Sequence, residues 1–252
     1  MVRDLFYYSK KGEAMKALVL SSGGVDSSTA LGLAVQKYGK ENVIALSISY
    51  GQKHDREIRA AKAVAAYYGV EQQFLDLSLI FRYSSCSLLR QSSEEIPEES
   101  YAEQLQKTGG TKPVSTYVPF RNGLFLSAAA SIALSRDCEV IYYGAHADDA
   151  AGCAYPDCSP AFNRAMGEAI REGSGQQLRI EAPFVNGNKA DIVRTGLKIK
   201  VPYHLTWSCY EGGDRPCGKC GTCRDRAAAF AANHVKDPAL ENEMPEAEGG
   251  QR

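Results

Sequence analysis

The stretch Ser21-Ser22-Gly23-Gly24-Val25-Asp26-Ser27-Ser28 decides the fold class of this chain. It follows a short apolar run, Lys16–Leu20, and precedes an Ala- and Leu-rich segment that reaches about Tyr38. A strand, a glycine-serine turn and a helix in this order place the turn at the carboxyl edge of a parallel sheet, where such folds bind ligands. Two glycines let the backbone approach an anion, and the first N–H groups of the helix point at it. The stretch therefore predicts a phosphate-binding loop.

Two familiar phosphate loops do not fit this stretch. It lacks the Gly-Lys-Ser/Thr ending of ordinary ATPases, and it lacks G-x-G-x-x-G with a ribose-binding acid downstream. Asp26 can either cap the following helix or help to hold the Mg²⁺ that accompanies a polyphosphate. The alternative is a plain turn with a helix cap, which the strand-loop-helix context disfavours.

Alternating strands and helices continue beyond the loop. The apolar patterns predict further strands over 42–49, 73–77, 140–144 and 178–182. They predict helices over 55–68, 122–136, 160–172, 189–200 and 227–234. The polar segment 84–116 indicates a long loop with at most one short helix. Such alternation implies right-handed crossovers, so we expect an α/β fold with a doubly wound, mainly parallel sheet.

The same patterns divide the chain into four segments. We expect a flexible extension at 1–14 and a nucleotide-binding domain at 15–200. A small C-terminal zinc-binding segment at 201–235 should pack on that domain, and a flexible acidic tail should occupy 236–252.

Composition limits the classes of partner. The chain has 252 residues, with 29 Lys and Arg against 30 Asp and Glu, and a net charge of −1. Proteins that grip a long nucleic acid usually carry a basic excess, so we expect a small-molecule substrate and no stable nucleic-acid partner. No run approaches the roughly 18 apolar residues of a membrane helix. The first residues are too polar for a secretory signal. We therefore predict a cytoplasmic protein with no membrane partner.

Four of the eight cysteines lie within fifteen residues of one another, namely Cys209, Cys217, Cys220 and Cys223. In a reducing compartment, clustered cysteines indicate metal ligands or redox groups before disulfides. Gly218 and Gly221 permit the tight turns that aim successive thiolates at one point. We predict one structural Zn²⁺ per chain, held tetrahedrally. A redox pair needs fewer cysteines than this, and it remains an alternative together with an iron–sulfur cluster.

Four shorter motifs follow predicted strands or begin predicted helices. They are Tyr50-Gly51-Gln52-Lys53-His54, Val118-Pro119-Phe120-Arg121-Asn122, Gly144-Ala145-His146-Ala147-Asp148-Asp149 and Tyr155-Pro156-Asp157-Cys158. Each is weak alone, because a single arginine or histidine is more often structural than functional. Their shared place after successive strands favours a common site. We expect Cys158 to be a small buried filler rather than a nucleophile.

Together with T-W-S-C-Y at 206–210 and C-G-K-C-G-T-C at 217–223, these motifs resemble one family. It is the 7-cyano-7-deazaguanine synthase family of queuosine biosynthesis, within the ATP pyrophosphatase (PP-loop) superfamily. The resemblance covers about Met15 to His234 and implies an adenine-nucleotide α-hydrolase-like fold. It also implies a homodimeric, ATP-dependent ligase that forms C–N bonds. The ligase converts 7-carboxy-7-deazaguanine and ammonia into the nitrile through an acyl-adenylate and an amide, releasing AMP and diphosphate.

The resemblance also implies roles for individual residues. ATP, with Mg²⁺, should contact Leu20, Ser21, Ser22, Gly23, Gly24, Val25, Asp26, Ser27, Ser28, Thr29 and Ala30. The deazaguanine substrate should contact Tyr50, Gln52, His54, Arg121, Asn122, Tyr155 and Asp157. The expected catalytic residues are Asp26, Ser27, Arg121 and Lys189, with Lys53 as a further candidate cation.

Two alternatives remain at this point. Another PP-loop enzyme, such as a tRNA-modifying thiolase or an amidotransferase, predicts a basic RNA-binding surface or a glutaminase domain, and the sequence shows neither. A zinc-ribbon binding module on a degenerate nucleotide fold is the alternative from another class. The intact S-G-G-V-D-S argues against it, and an ATP turnover assay would decide.

Overall fold

The computed structural model describes residues 14–99, 101–107, 109 and 112–241 of this chain. The predicted extension at 1–14 lies outside the described residues except for Ala14, and so do residues 242–252 of the predicted tail.

Five parallel strands form one sheet in the order β3-β2-β1-β4-β5. They are β1 Lys16–Leu20, β2 Val43–Ser49, β3 Glu71–Asp76, β4 Cys138–Tyr142 and β5 Arg179–Glu181. The sheet confirms the predicted α/β class. Because β1 pairs with both β2 and β4, the strand order reverses at β1, and ligands bind outside the carboxyl ends of strands at such a point.

Helices connect and flank the strands. They are α1 Val25–Tyr38, α2 Arg56–Tyr68, α3 Tyr101–Lys107, α4 Arg121–Ser135, α5 Ala147–Ala150, α6 Pro160–Gly173, α7 Lys189–Lys198, α8 Gly221–Ala231 and α9 Pro238–Glu241. Short 3-10 turns span Lys40–Asn42, Ile80–Tyr83, Ala151–Cys153, Pro156–Cys158 and Tyr203–Leu205. The helix predicted over 227–234 begins earlier, because the last two clustered cysteines belong to its N-cap and first turn. None of the helices within the described ranges has the length and apolar character needed to cross a membrane.

Both faces of the sheet are covered by apolar layers. Leu18 of β1 packs with Leu126 of α4 on one face, and its neighbour Val19 packs with Leu31 of α1 on the other. Successive side chains of a strand point to opposite faces, so this central strand is buried on both sides. The result is the doubly wound arrangement that the sequence predicts.

The segment that contains the cysteines shares a core with the first helix. Val25 of α1, Ile192 of α7 and Phe230 of α8 belong to one buried cluster. The Tyr203 hydroxyl lies within that cluster, 2.8 Å from Thr29 Oγ1. This packing fixes the C-terminal segment directly behind the phosphate loop.

A buried ion pair holds the chain beyond residue 235. Arg226 donates to both carboxylate oxygens of Asp237, at 2.6 and 2.8 Å, and both side chains are 5% exposed. The same guanidinium donates to Thr206 Oγ1 at 2.8 Å. The sequence predicts a flexible tail from residue 236, but this ion pair fixes Asp237 in the structure. The acidic composition of the segment does not reveal that Asp237 has a buried partner.

Replacing Asp237 with alanine should lower the free energy of unfolding by about 3 kcal/mol, because Arg226 is left buried without its counter-charge. Urea denaturation at constant pH measures the loss. The control is Glu168→Ala, which removes one partner of an exposed ion pair with Arg171 and should lower the free energy of unfolding far less. Equal small losses in both variants would contradict the stabilising role of the buried pair.

Candidate active site

One cavity opens at the carboxyl edge of β1, β2 and β4, and the phosphate loop forms one of its walls. From β1 and the loop come Leu20, Ser21, Ser22, Gly24, Asp26 and Ser27. Other elements contribute Tyr50, Gln52, Glu57, Arg121, Asn122, Phe125, Tyr143, Asp149, Cys158, Lys189, Trp207, Ser208, Tyr210 and Thr222. The fold thus brings the four predicted catalytic residues to the wall of a single cavity.

The loop is shaped for close approach by an anion. Gly23 has a φ of +85°, and a Cβ at this position would lie 2.4 Å from backbone atoms of α2. Ser27 Oγ accepts the N–H of Ser22 at 3.1 Å, which holds the turn closed. The N-cap residue of α1 is Gly24, and among the described residues no side chain forms a capping hydrogen bond there. The first N–H groups of the helix are therefore available to a phosphate.

The predicted ATP-binding range extends beyond the cavity wall. The side chains of Ser28, Thr29 and Ala30 are fully buried in the core. Thr29 Oγ1 donates to the Val25 carbonyl at 2.8 Å, one turn earlier in the same helix. These residues belong to the buried faces of α1 and support the loop from behind.

A charged cluster lies where the loop meets α7. Lys189 Nζ is 2.9 Å from Asp26 Oδ2, and the two side chains are 11% and 23% exposed. Burial would raise the pKa of Asp26, but the Lys189 ammonium outweighs it and holds that pKa below its usual value. Burial likewise opposes charge on Lys189, but Asp26 raises its pKa well above the ordinary lysine value. The cavity therefore contains an ionised carboxylate and a permanent cation beside the loop.

A second cation stands on the wall formed by α4. The Arg121 guanidinium lies over the Tyr50 ring, 5.3 Å from its centre. Burial disfavours its charge, but nearby Tyr50 and Asp157 raise its pKa further, so it stays protonated. Arg121 can therefore meet an anionic group inside the cavity.

The start of α4 is held by the Tyr-Pro-Asp-Cys turn. Asp157 Oδ2 accepts the backbone N–H of Asn122 at 2.8 Å, and Asp157 is only 3% exposed. Cys158 Sγ accepts from Asn122 Nδ2 at 3.2 Å. Burial, with nearby carboxylates, raises the pKa of the Cys158 thiol well above its ordinary value. Asp157 therefore fixes the first turn of α4, and Cys158 is a protonated wall residue.

Three predicted substrate-binding residues, His54, Tyr155 and Asp157, lie outside the cavity wall. His54 packs edge-on against Trp207, and its Nδ1 accepts the Arg56 backbone N–H at 3.3 Å. The Tyr155 hydroxyl lies 2.5 Å from Thr116 Oγ1, in the core. His54 thus contacts the wall residue Trp207, Asp157 contacts the wall residue Asn122, and Tyr155 lies in the core. A motif predicts which strand end a residue follows but not which way its side chain points.

The sequence did not assign Glu57, Trp207, Ser208, Tyr210 or Thr222 to the site, although all of them line the cavity. The Trp207 backbone N–H donates to the Gly23 carbonyl at 2.9 Å, which joins the phosphate loop to the segment before the first clustered cysteine. The available signal was the aromatic and polar T-W-S-C-Y stretch beside a predicted metal ligand. Glu57 had no signal beyond its place three residues after His54.

Glu57 should make the stability of the protein depend on pH. Burial, opposed by Arg121, raises its pKa to about 7. The folded state then holds a proton that the unfolded state, with a pKa of about 4.3, releases. Stability should therefore fall as pH rises from about 5 to about 7.5, and Glu57→Gln should remove that part of the fall.

Urea unfolding at both ends of this pH range measures the effect. Glu41→Gln is the control, since the Glu41 side chain is 83% exposed and the variant should keep the wild-type pH dependence. A Glu57→Gln protein with an unchanged dependence would contradict the raised pKa.

The four clustered cysteines meet at one point. The sulfur atoms of Cys209, Cys217, Cys220 and Cys223 all lie within 4.8 Å of one another. Backbone N–H groups of the cluster turn toward sulfur: that of Cys217 toward Cys209 Sγ at 3.3 Å, and that of Cys220 toward Cys217 Sγ at 3.4 Å. Hydrogen bonds from Cys220 and Cys223, together with the Cys217 N–H, lower the pKa of the Cys209 thiol and favour its thiolate form. The group can hold a metal ion, as the cysteine spacing predicts.

Comparison with known proteins places the chain. Residues 16–234 match the family model described as queuosine biosynthesis protein QueC. The chain is 45% identical over 230 residues to a 7-cyano-7-deazaguanine synthase of Archaeoglobus fulgidus, covering 91% of each chain. It is 42% identical over 224 residues to one of Caldicellulosiruptor saccharolyticus, covering 89% of this chain and 94% of that protein.

Solved structures give weaker likenesses. NMN synthetase from Francisella tularensis has a TM-score of 0.47 and 15% identity, covering 90% of this chain and 81% of its own. The U34-tRNA thiolase NcsA from Methanococcus maripaludis, with its [4Fe-4S] cluster, has a TM-score of 0.48 and 16% identity, covering 98% and 77%.

Proposed function

The chain belongs to the queuosine biosynthesis protein QueC family, and from this premise we propose that it is a 7-cyano-7-deazaguanine synthase. This membership confirms the resemblance drawn from the sequence motifs. The enzyme is a C–N bond-forming ligase that converts 7-carboxy-7-deazaguanine and ammonia into the nitrile while cleaving ATP to AMP and diphosphate. A tRNA-modifying thiolase or another amidotransferase is not favoured, because the matched relatives carry the synthase name over about nine-tenths of this chain.

The reaction needs two activations of the same carbon. A carboxylate is a poor electrophile, so its oxygen first attacks the α-phosphorus of ATP, and diphosphate leaves. Ammonia then displaces AMP from the acyl-adenylate and gives the amide after loss of a proton. A second adenylation on the amide oxygen lets AMP leave again, and the loss of the nitrogen-bound protons yields the nitrile.

The observation that carries the proposal is the convergence of three positive groups on one cavity. They are the N-terminus of α1, the Lys189 ammonium and the Arg121 guanidinium. The N–H groups of the loop bind the ATP phosphates, and Lys189 neutralises charge that develops on the diphosphate leaving group. Arg121, on the other wall, holds the substrate carboxylate against the α-phosphate, so that catalysis consists largely of positioning and charge stabilisation.

The remaining predicted substrate contacts on the wall are Tyr50, Gln52 and Asn122. Gln52 is only 4% exposed, and its Oε1 accepts the Tyr50 backbone N–H at 2.9 Å. This bond fixes the amide, so its remaining donors can face the planar base. The Tyr50 ring, held by Arg121, supplies an apolar surface beside it.

Mg²⁺ accompanies ATP in this proposal, and Asp26 is the residue that would hold it. Asp26 Oδ1 is buried and accepts no hydrogen bond from any residue the structure describes, so this oxygen is free for a hard cation. When bound, the ion offsets charge on the phosphates. Ser27, beside Asp26, keeps the loop closed around them.

Zn²⁺ is the metal that we assign to Cys209, Cys217, Cys220 and Cys223, one ion per chain. Four sulfurs complete a tetrahedral shell and leave no position for substrate, so the role is structural. The Trp207 indole N–H donates to the Cys209 carbonyl at 2.8 Å, and the Trp207 backbone reaches the Gly23 carbonyl. The metal would thereby fix the cavity wall next to the phosphate loop.

The proposal also includes ammonia as nitrogen donor, a homodimer and a cytoplasmic location, all carried over from the family resemblance. It keeps the division into a nucleotide-binding domain at 15–200 and a zinc-binding segment at 201–235. No stable nucleic-acid or membrane partner is part of it.

The products of ATP test the proposal. With carboxy-deazaguanine and ammonium present, phosphorus NMR should show AMP and diphosphate, in amounts that depend on the deazaguanine. ADP and inorganic phosphate would contradict the assignment of the loop, since they come from cleavage at the γ-phosphate.

A further inference from the structure

A second cavity adjoins the active-site cavity at α7. Lys189 lines both cavities. The second cavity is also lined by His146 and Asp148, which follow β4, and by Asp225 of α8. Ala228 in its wall is exposed, so the cavity opens to solvent.

His146 lies between the two cavities. It is 1% exposed, and neither ring nitrogen makes a hydrogen bond to any described residue. Nδ1 is 4.0 Å from Asp148 Oδ2, which belongs to the second cavity. Nε2 is 3.3 Å from Asp149 Oδ2, which belongs to the first. A buried polar atom without a partner is destabilising. A neutral imidazole has one N–H donor and one acceptor nitrogen, so a small ligand with an N–H donor would satisfy the acceptor.

The charges around His146 favour a cation. Asp148, Asp149 and Asp225 supply three carboxylates, and Lys189 is already paired with Asp26 at 2.9 Å. The other described wall residues of the second cavity are uncharged and include Gln106 of α3 and Asn188 before α7. The carboxylates and the imidazole nitrogens are not gathered as metal ligands are. Among the described residues, the ligand atoms of the four clustered cysteines lie close enough together to hold a metal ion, and the groups around His146 do not.

We propose that the second cavity binds ammonium and that the nitrogen substrate enters the active site beside His146. The inference rests on the proposed function, which requires ammonia but leaves its route open. Ammonium carries four N–H donors in a compact ion. Asp148 Oδ2 already accepts the Lys189 backbone N–H at 2.9 Å, so the acceptors that remain for ammonium are Asp148 Oδ1, the Asp225 carboxylate and the unprotonated ring nitrogen of His146. The ion releases one proton to solvent in the second cavity, and neutral ammonia, with its lone pair free, moves on to the acyl carbon.

A separate route has a chemical advantage. ATP and the carboxy-deazaguanine fill the first cavity from the side of the phosphate loop, and an entry beside α7 lets the nucleophile arrive after the adenylate has formed. Water that reached the adenylate would hydrolyse it, so acceptor groups that favour ammonium at the entry reduce that loss.

The kinetic test removes charge from the second cavity without changing its shape. In the double variant Asp148→Asn and Asp225→Asn, the KM for ammonium should rise about tenfold, because two attractive charges are lost. The KM values for ATP and carboxy-deazaguanine should change less than about twofold, since these ligands occupy the other cavity. Glu172→Gln, an exposed acid on α6, is the control and should leave all three constants unchanged.

A steric test separates entry from charge. Ala228→Trp fills the second cavity and should raise the KM for ammonium. Ala227→Trp places the same ring on the neighbouring exposed position of α8, outside both cavities, and should not. If the charge variant and Ala228→Trp both keep the wild-type KM for ammonium while the wild type makes nitrile, the entry route is wrong and the proposed function stands. A rise in the KM for ATP that equals the rise for ammonium would also overturn the inference.

The melting temperature of the protein tests ammonium binding without measuring catalysis. The wild type should melt higher in ammonium chloride than in sodium or potassium chloride of equal concentration, and the double variant should lose that difference. Equal stabilisation by potassium would mean a general monovalent-cation site and would overturn the ammonium assignment. A wild type that forms no nitrile refutes the proposed function, and the melting comparison then still decides whether the cavity binds ammonium.

Discussion

Replacing Lys189 with methionine should slow nitrile formation about 10²- to 10³-fold, the usual loss when one preorganised electrostatic group is removed. Methionine keeps the length of the side chain but removes the ammonium group that lies 2.9 Å from Asp26. The cavity then lacks the cation next to the phosphate loop, and Asp26 loses its counter-charge. Initial rates of AMP release at saturating substrates measure the effect.

Lys198→Met is the matched control, because Lys198 is an exposed lysine at the other end of α7 and should be replaceable without loss of rate. Lys189→Arg should recover part of the activity, since it restores the charge but not the geometry. A Lys189→Met enzyme with more than about a tenth of the wild-type rate would contradict the role given to this cation.

Changing Cys217 to serine should remove the metal and lower the free energy of unfolding by about 5 kcal/mol or more, because the energy of metal binding is coupled to folding. Cys217 is the ligand with the greatest exposure, so serine adds little strain of its own. Elemental analysis of the wild type should give about one zinc per chain in the four-sulfur scheme. Thermal unfolding and zinc content, measured on the same preparations, test the two effects together.

Cys86→Ser is the control for loss of a buried thiol away from the cluster, and it should keep the metal. A Cys217→Ser protein that is soluble, metal-free and inactive but melts at the wild-type temperature would replace the zinc assignment with sulfur-transfer chemistry. Iron and acid-labile sulfide in place of zinc would point to a cluster instead.

The phosphate loop and the cysteine site were predictable because each is local. Eight consecutive residues define a strand-to-helix turn, and fifteen define the metal ligands, so short spacing constrains the geometry. The order of strands and helices gave the α/β class for a similar reason, since each element carries its own apolar period. Lys189, expected from the family resemblance to be a catalytic cation, lies on the cavity wall because it begins a helix at the same edge of the sheet.

Side-chain direction could not be predicted in the same way. Asp157 and Tyr155 follow the correct strand, yet the structure turns both into the core, where one holds Asn122 and the other bonds Thr116. Asp237 pairs with Arg226 through packing of the C-terminal segment, and Glu57 lines the cavity from the first turn of α2. These outcomes depend on contacts between distant segments, which a single sequence does not display.

The most direct measurement is mass spectrometry of the deazaguanine base after the full-length enzyme is incubated with carboxy-deazaguanine, ATP and isotopically labelled ammonium. We predict that the carboxyl group becomes a nitrile that carries the label, with two AMP released for each nitrile and the labelled amide as an intermediate. Unchanged carboxy-deazaguanine, or a product that contains no nitrogen from ammonium, would contradict the proposed function.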